Sequence, residues 1–142
     1  MHKGEAMDLK DNVAVVTGGT GGLGWRICRT FADVGMKIVL VYLNSKEKAE
    51  QYVAELEKDG ASAIAVGADV TTEEGIDTIS EQAKQAYGGV DVLVLDAAYN
   101  IFIPFEDLET LDADQWNYIL NFNLTAPYLP MRKTGAAINP RR

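Results

Sequence analysis

Residues 17–24 read Thr-Gly-Gly-Thr-Gly-Gly-Leu-Gly, and no other segment restricts the fold so much. The segment follows Val13–Thr17, a short β-branched apolar run that predicts a strand. It precedes Trp25, Ile27, Cys28, Phe31, Ala32 and Val34, whose spacing predicts a helix ended by Gly35. A helix that opens on glycines presents unpaired backbone N–H groups and a positive dipole end, which suit a pyrophosphate. Glycines permit the tight turn, the close approach of backbone to phosphate, and the packing of helix on strand. The segment holds G-x-G-x-x-G at Gly19, Gly21 and Gly24. It also holds T-G-x-x-x-G-x-G at Thr17, Gly18, Gly22 and Gly24. No Lys-Ser/Thr pair follows the last glycine, which excludes a P-loop. A glycine-rich turn without a ligand is the plainer alternative.

Strand and helix signals then alternate. Lys37–Tyr42 predicts a second strand, and Ser45 a cap for a helix over Lys46–Asp59. Ser62–Val66 predicts a third strand. Thr71-Thr72-Glu73-Glu74 matches a capping box opening a helix to Tyr87, and Val90–Leu95 predicts a fourth strand. Asp112 and Gln115 have the spacing to cap a last helix through Trp116, Ile119, Leu120 and Leu124. The strands are continuously apolar, as a parallel sheet covered on both faces requires. The fold class is therefore α/β, a doubly wound parallel sheet. The long stretch Ala97–Leu111 is either part of a site or a plain connection.

Composition narrows the function classes. The chain has 142 residues, 47% hydrophobic and 24% charged, which fits one domain or part of a larger one. Its net charge of −8 argues against nucleic acid and against an anionic membrane surface. The longest aliphatic-aromatic run, Ile38–Leu43, falls far short of the roughly 20 residues that span a bilayer. The charged N-terminal residues lack the apolar stretch of about 7–15 residues that a signal peptide needs. Cys28 is the single cysteine, so no internal disulfide forms, and a cytoplasmic location is expected. One histidine, His2, and one cysteine offer no metal-ligand spacing. Arg132, Lys133, Arg141 and Arg142 mark 132–142 as an irregular basic tail, set apart from a domain over 1–131.

Three motifs in order carry a resemblance to a known family. They are Asn12–Gly24 (NVAVVTGGTGGLG), Ala68-Asp69-Val70 after the third strand, and Trp116–Tyr128 (WNYILNFNLTAPY). On these the chain resembles the short-chain dehydrogenase/reductase family over about residues 8–131. The resemblance implies a Rossmann-like fold and hydride transfer between a nicotinamide and a carbonyl or alcohol. It implies that Gly18, Gly19, Thr20, Gly22, Leu23 and Gly24 hold the pyrophosphate, that Asp69 and Val70 hold the adenine, and that Ala97 lies near the nicotinamide ribose. It implies a place for Asn123 in the proton relay.

Departures from the family pattern shape the remaining expectations. Leu95-Asp96-Ala97-Ala98 stands where the family usually has N-N-A-G, which implies weaker cofactor binding. No acid closes the second strand, so Asn44, Ser45 and Lys46 are candidates to receive a 2′-phosphate. NADP is the expected cofactor and NAD the alternative. The plainer view makes Ser45 a helix cap and Lys46 a solvated residue. The family's serine and Y-x-x-x-K pair find no match after Asn123. Tyr42-x-x-x-Lys46 has that spacing by coincidence, at the wrong end of the fold. The chain is therefore expected to be a truncated nucleotide-binding half of about four strands, inactive alone. It is expected to self-associate through the fourth strand and the helix near Trp116–Leu124. A non-catalytic nucleotide-binding or protein-interaction module, and an inert fragment, are the alternatives.

Overall fold

Every position of β1 (Val13–Thr17) is buried. A strand with no polar face must lie inside a sheet with both faces covered. The computed structural model describes residues 8–134 and places β1 there. It pairs in parallel with β2 (Lys37–Tyr42) on one side and β4 (Val92–Leu95) on the other. β3 (Ala63–Gly67) pairs with β2, so the order is β3-β2-β1-β4. The expected α/β doubly wound sheet is the observed fold.

Side chains along β1 and β2 alternate between two cores, as the two-residue period of a strand dictates. Ala14, Val16, Ile38 and Leu40 pack with Cys28 of α1 (Gly22–Asp33) and with Ala49 and Leu56 of α2 (Lys46–Lys58). Val13, Val15, Val39 and Val41 pack with Ile76, Ile79 and Ala83 of α3 (Glu73–Tyr87). Each fully buried aliphatic side chain contributes roughly 1.5–3 kcal/mol. β4 is different: all four residues are only half-buried, and among the described residues it pairs on one side only.

Local chemistry moves several boundaries. β3 ends on Gly67, and β4 starts at Val92, after Asp91, whose carboxylate accepts the Val13 N–H at 2.8 Å. The cap of α3 is Thr72, not Thr71; its hydroxyl accepts from Gly75 N–H, while Thr71 is held by the Asp69 carboxylate. Ser45 stands at the N-cap of α2, but its side chain makes no capping bond. The Asp112–Gln115 box forms in full and opens α4 (Ala113–Leu120).

The last helix is not continuous. α4 passes through a π-helical turn, Asn121–Thr125, into α5 (Ala126–Thr134). The basic tail expected from Arg132 thus begins as helix, held to α3 by Arg132–Glu73 (2.6 Å) and Lys133–Asp77 (2.5 Å) ion pairs. The rest of that tail and His2 lie outside the described residues. Among the described residues no helix is long and apolar enough to cross a membrane.

Candidate functional site

The chain leaves β1 toward β2 on one side, and β4 returns on the other side of β1. In open α/β sheets a crevice forms at that reversal, outside the carboxyl ends of the strands. A cleft of about 330 Å³ lies there, lined by the glycine turn, by Leu43–Ser45 after β2, and by Asp96–Ala98 after β4.

The glycine turn is built by close contacts. Gly18 has φ +66°, and a Cβ on it would lie 3.0 Å from the Ala97 backbone. A Cβ on Gly24 would lie 2.3 Å from the Gly18 carbonyl oxygen, so no side chain fits there. The Gly19 N–H donates to Val41 O (2.9 Å), which ties the turn to β2 and removes that N–H from ligand binding. The first helical bond of α1 runs from Trp25 N–H to Gly21 O (3.0 Å). The N–H groups of Gly22, Leu23 and Gly24 precede that bond. No side chain caps them and no acid occupies the first turn, so the dipole end is left for an anion.

Beyond the β1–β4 pairing, a hydroxyl of β1 also holds the far wall. Thr17 Oγ1 donates to Val94 O (3.4 Å) and accepts from Ala97 N–H (3.1 Å). Asp96 brings a carboxylate into the cleft, its Oδ2 lying 3.0 Å from where a Gly24 Cβ would stand. This charge opposes a phosphate that the turn otherwise suits. Behind the turn, burial pushes the Cys28 thiol up to about 12, the nearby Asp96 adding to the shift. A thiol so protonated is inert as a nucleophile.

The expected residues separate into two groups. Gly18, Thr20, Asn44, Ser45, Val70 and Ala97 line the cleft. Leu23 is 65% exposed on the first turn of α1 and does not line the cleft. Lys46 does not line the cleft. One step into α2, helical rotation turns it outward, with Nζ 3.7 Å from Glu50. Asp69 does not line it either: its Oδ1 accepts from both the N–H and the hydroxyl of Thr71, at 2.8 and 2.6 Å.

Asn123 acts as a clamp. Its Oδ1 accepts from Tyr99 N–H (3.1 Å) and its Nδ2 donates to Tyr99 O (2.7 Å) and Ile119 O (2.9 Å). The side chain therefore fastens the segment after β4 to the π-helical turn. Thr17 as a linker, and Phe122 and Leu43 as cleft walls, are roles that the sequence motifs do not single out. The Thr17 signal was present, since it opens the glycine motif. Nothing in helical spacing marks Phe122, because the π-helical turn shifts its phase.

Comparison with known proteins agrees with this geometry. The family described as short chain dehydrogenase matches residues 12–139. The 3beta-hydroxysteroid dehydrogenase 1 of Eggerthella lenta is 34% identical over 126 residues, which cover 89% of this chain and 47% of that protein. A blue fluorescent protein from a metagenomic library, solved in complex with NADPH, superposes with a TM-score of 0.80 at 32% identity. That match covers 92% of this chain and 52% of the other. A short chain dehydrogenase from Burkholderia cenocepacia J2315, in complex with NADP, gives 0.83 at 28% identity, with 94% and 53% coverage. The chain spans about half the length of the curated relatives it matches. With a match along most of its length, the chain belongs to the short-chain dehydrogenase family.

Proposed function

We propose that this chain forms the nucleotide-binding half of an NAD(P)-dependent oxidoreductase. The observation that carries the proposal is the cleft at the carboxyl ends of β1, β2 and β4, with its glycine turn closed to any side chain at Gly24. The N–H groups of Gly22, Leu23 and Gly24 would receive the pyrophosphate, with Gly18 and Thr20 beneath it. Asn44 and Ser45 would meet the adenosine ribose, Val70 the adenine, and Ala97 the nicotinamide ribose. Bound there, the nicotinamide supplies or accepts a hydride at a carbonyl or alcohol carbon. The NADPH and NADP complexes of the structural neighbours support a dinucleotide. The absence of a carboxylate among Tyr42–Ser45 supports tolerance of a 2′-phosphate, hence NADP before NAD. Asp69 and Lys46 act from outside the cleft, the first by shaping the turn before α3.

Carbonyl reduction also needs a proton donor within about 3 Å of the oxygen, and such help contributes roughly 10²–10⁴ in rate. Asn123 spends its amide on Tyr99 and Ile119 and is a positioning residue. No serine and no Tyr-x-x-x-Lys follow it. The chain alone is therefore inactive in this proposal. The exposed Trp116, Leu124, Tyr128 and Met131 favour self-association as a further part of it. A cytoplasmic location rests on the single thiol, Cys28.

Calorimetric titration with NADPH and NADH tests the binding, and NADPH is expected to bind more tightly. No binding of either would overturn the cofactor assignment, and a preference for NADH would overturn the placing of a 2′-phosphate at Asn44–Ser45. Oxidation of NADPH against a panel of ketones and aldehydes is expected to show no turnover. Turnover lost in Asn123→Ala would overturn the inactivity.

A further inference from the structure

The two segments of the cleft that would meet opposite ends of an adenosine diphosphate moiety lead into different helices. The glycine turn runs into α1 and Leu43–Ser45 runs into α2. Trp25, the residue after Gly24, stacks on Tyr52 of α2 with ring centroids 3.9 Å apart and planes 12° from parallel. Cations extend the stack at both ends. The Arg29 guanidinium carbon lies 5.7 Å from the Trp25 ring, and Lys48 Nζ lies 5.5 Å from the Tyr52 ring. Arg29 also bonds Glu55 of α2 at 2.5 Å and lies 3.6 Å from Asp59. The contact between α1 and α2 is thus a ladder of rings and charges, whose first rung stands next to the glycine turn.

We infer that the Trp25–Tyr52 stack is a positioning device for the dinucleotide, setting the distance between the phosphate-binding turn and the ribose-binding Asn44–Ser45. It rests on the cofactor assignment above. Two features separate this role from ordinary packing. Both rings are only half-buried, at the rim of the core cluster that α1 and α2 share. The backbone bond from Gly19 N–H to Val41 O ties the turn to β2 and the buried Cys28 seats the middle of α1 on the core, whereas the Trp25–Tyr52 stack ties the first turn of α1 directly to α2. The stack thereby couples the orientation of the α1 N–H groups to α2, the helix that Asn44–Ser45 lead into. A ligand spanning both subsites feels that orientation, whereas a ligand touching one does not.

The test compares NADPH, which spans both, with adenosine, which does not reach the α1 N-terminus. Trp25→Ala is expected to raise the Kd for NADPH about three- to tenfold, the range an aromatic pair commands. It should leave the Kd for adenosine unchanged. Tyr52→Ala should do the same, and the double variant should be no worse than either single one, because they remove one contact. Trp25→Phe keeps a ring at the site and should restore most of the affinity. Tyr52→Leu retains apolar bulk without a ring, so it decides the matter where an alanine variant fails to fold. Equal loss for NADPH and adenosine would reduce the stack to a stability element and overturn the inference. Unchanged NADPH affinity in Tyr52→Leu would overturn it as well. A parent chain that binds adenosine and NADPH equally would overturn the cofactor assignment and the positioning role together. A parent that prefers NADPH, with variants that match it, removes only the positioning role.

Discussion

The floor of the cleft and the α4–α5 segment differ in how completely their own neighbours account for them. At the floor, β1 is buried at every position, Gly24 cannot carry a side chain, and Thr17 joins β1 to both Val94 and Ala97. Along α4 and α5, Trp116 is 53% exposed, Leu124 66% and Tyr128 55%. Exposed apolar side chains of that size are what the proposed self-association rests on. The cleft proposed to hold a nucleotide is therefore lined mostly by residues from the first hundred positions, while the helical segment that follows carries exposed apolar side chains on its outer side.

Substitutions at the floor should show the largest effects. Gly24→Ala forces a methyl against the Gly18 carbonyl and should cost about 1–3 kcal/mol by urea denaturation, with loss of dinucleotide binding. Gly22→Ala meets nothing within 4 Å and should be neutral or stabilising, by up to about 1 kcal/mol. Equal costs at the two positions would break the contrast within the turn itself. Asn123→Ala comes next, removing three bonds for about 1–2 kcal/mol. Hydrogen exchange should then quicken at Tyr99 and leave β1 to β3 protected.

On the outer face the expectation reverses. Leu124→Lys combined with Tyr128→Lys should change stability by less than about 0.5 kcal/mol, since both side chains are exposed. Light scattering should nevertheless show a smaller particle. An unchanged particle size would mean that this face is not where copies meet.

The smallest effect concerns the ion pairs that fasten α5 to α3. Arg132, and after it Lys133, hold the Glu73 carboxyl below its usual range, and Asp77 chiefly raises the Lys133 ammonium. The Glu73 contribution is present above the unfolded carboxyl value of about 4.3 and is lost as pH falls through the lowered folded value. The Lys133 contribution is present below about 10.4 and is lost as pH rises through its raised value. All these side chains reach solvent, so salt should weaken the contact as well. Amide protection factors along 126–133 should fall slightly in acid and in salt. A pH-independent helix end would show that packing alone holds it.

What the sequence discloses follows how local its physics is. β1 and β2 are legible to the residue, because β-branched apolar runs bounded by turn residues have one reading. The Asp112–Gln115 box is legible for the same reason: both its partners lie within one turn. Thr71 is misleading, because the Asp69 carboxylate captures it and passes the cap to Thr72. Lys46 is misleading too, since proximity to the cleft in sequence does not survive one step of helical rotation. The roles of Phe122 and Asn123 depend on a π-helical turn that no residue pattern announces.

The strand order has a consequence for assembly in time. Val13 meets Lys37, and Ile38 meets Ala63, across short intervals of chain. The bond from Val13 to Asp91 spans 78 positions and the one from Ala97 to Thr17 spans 80. Closing the longer interval costs about 1 kcal/mol more in chain entropy than closing the shorter ones. On a ribosome, β1, β2 and β3 emerge before β4, so the pairing of β4 with β1 is the last to become available. The cleft becomes whole only when β4 docks. Because a ligand stabilises only the state it binds, a dinucleotide would act as a latch on the last step of folding rather than on the first.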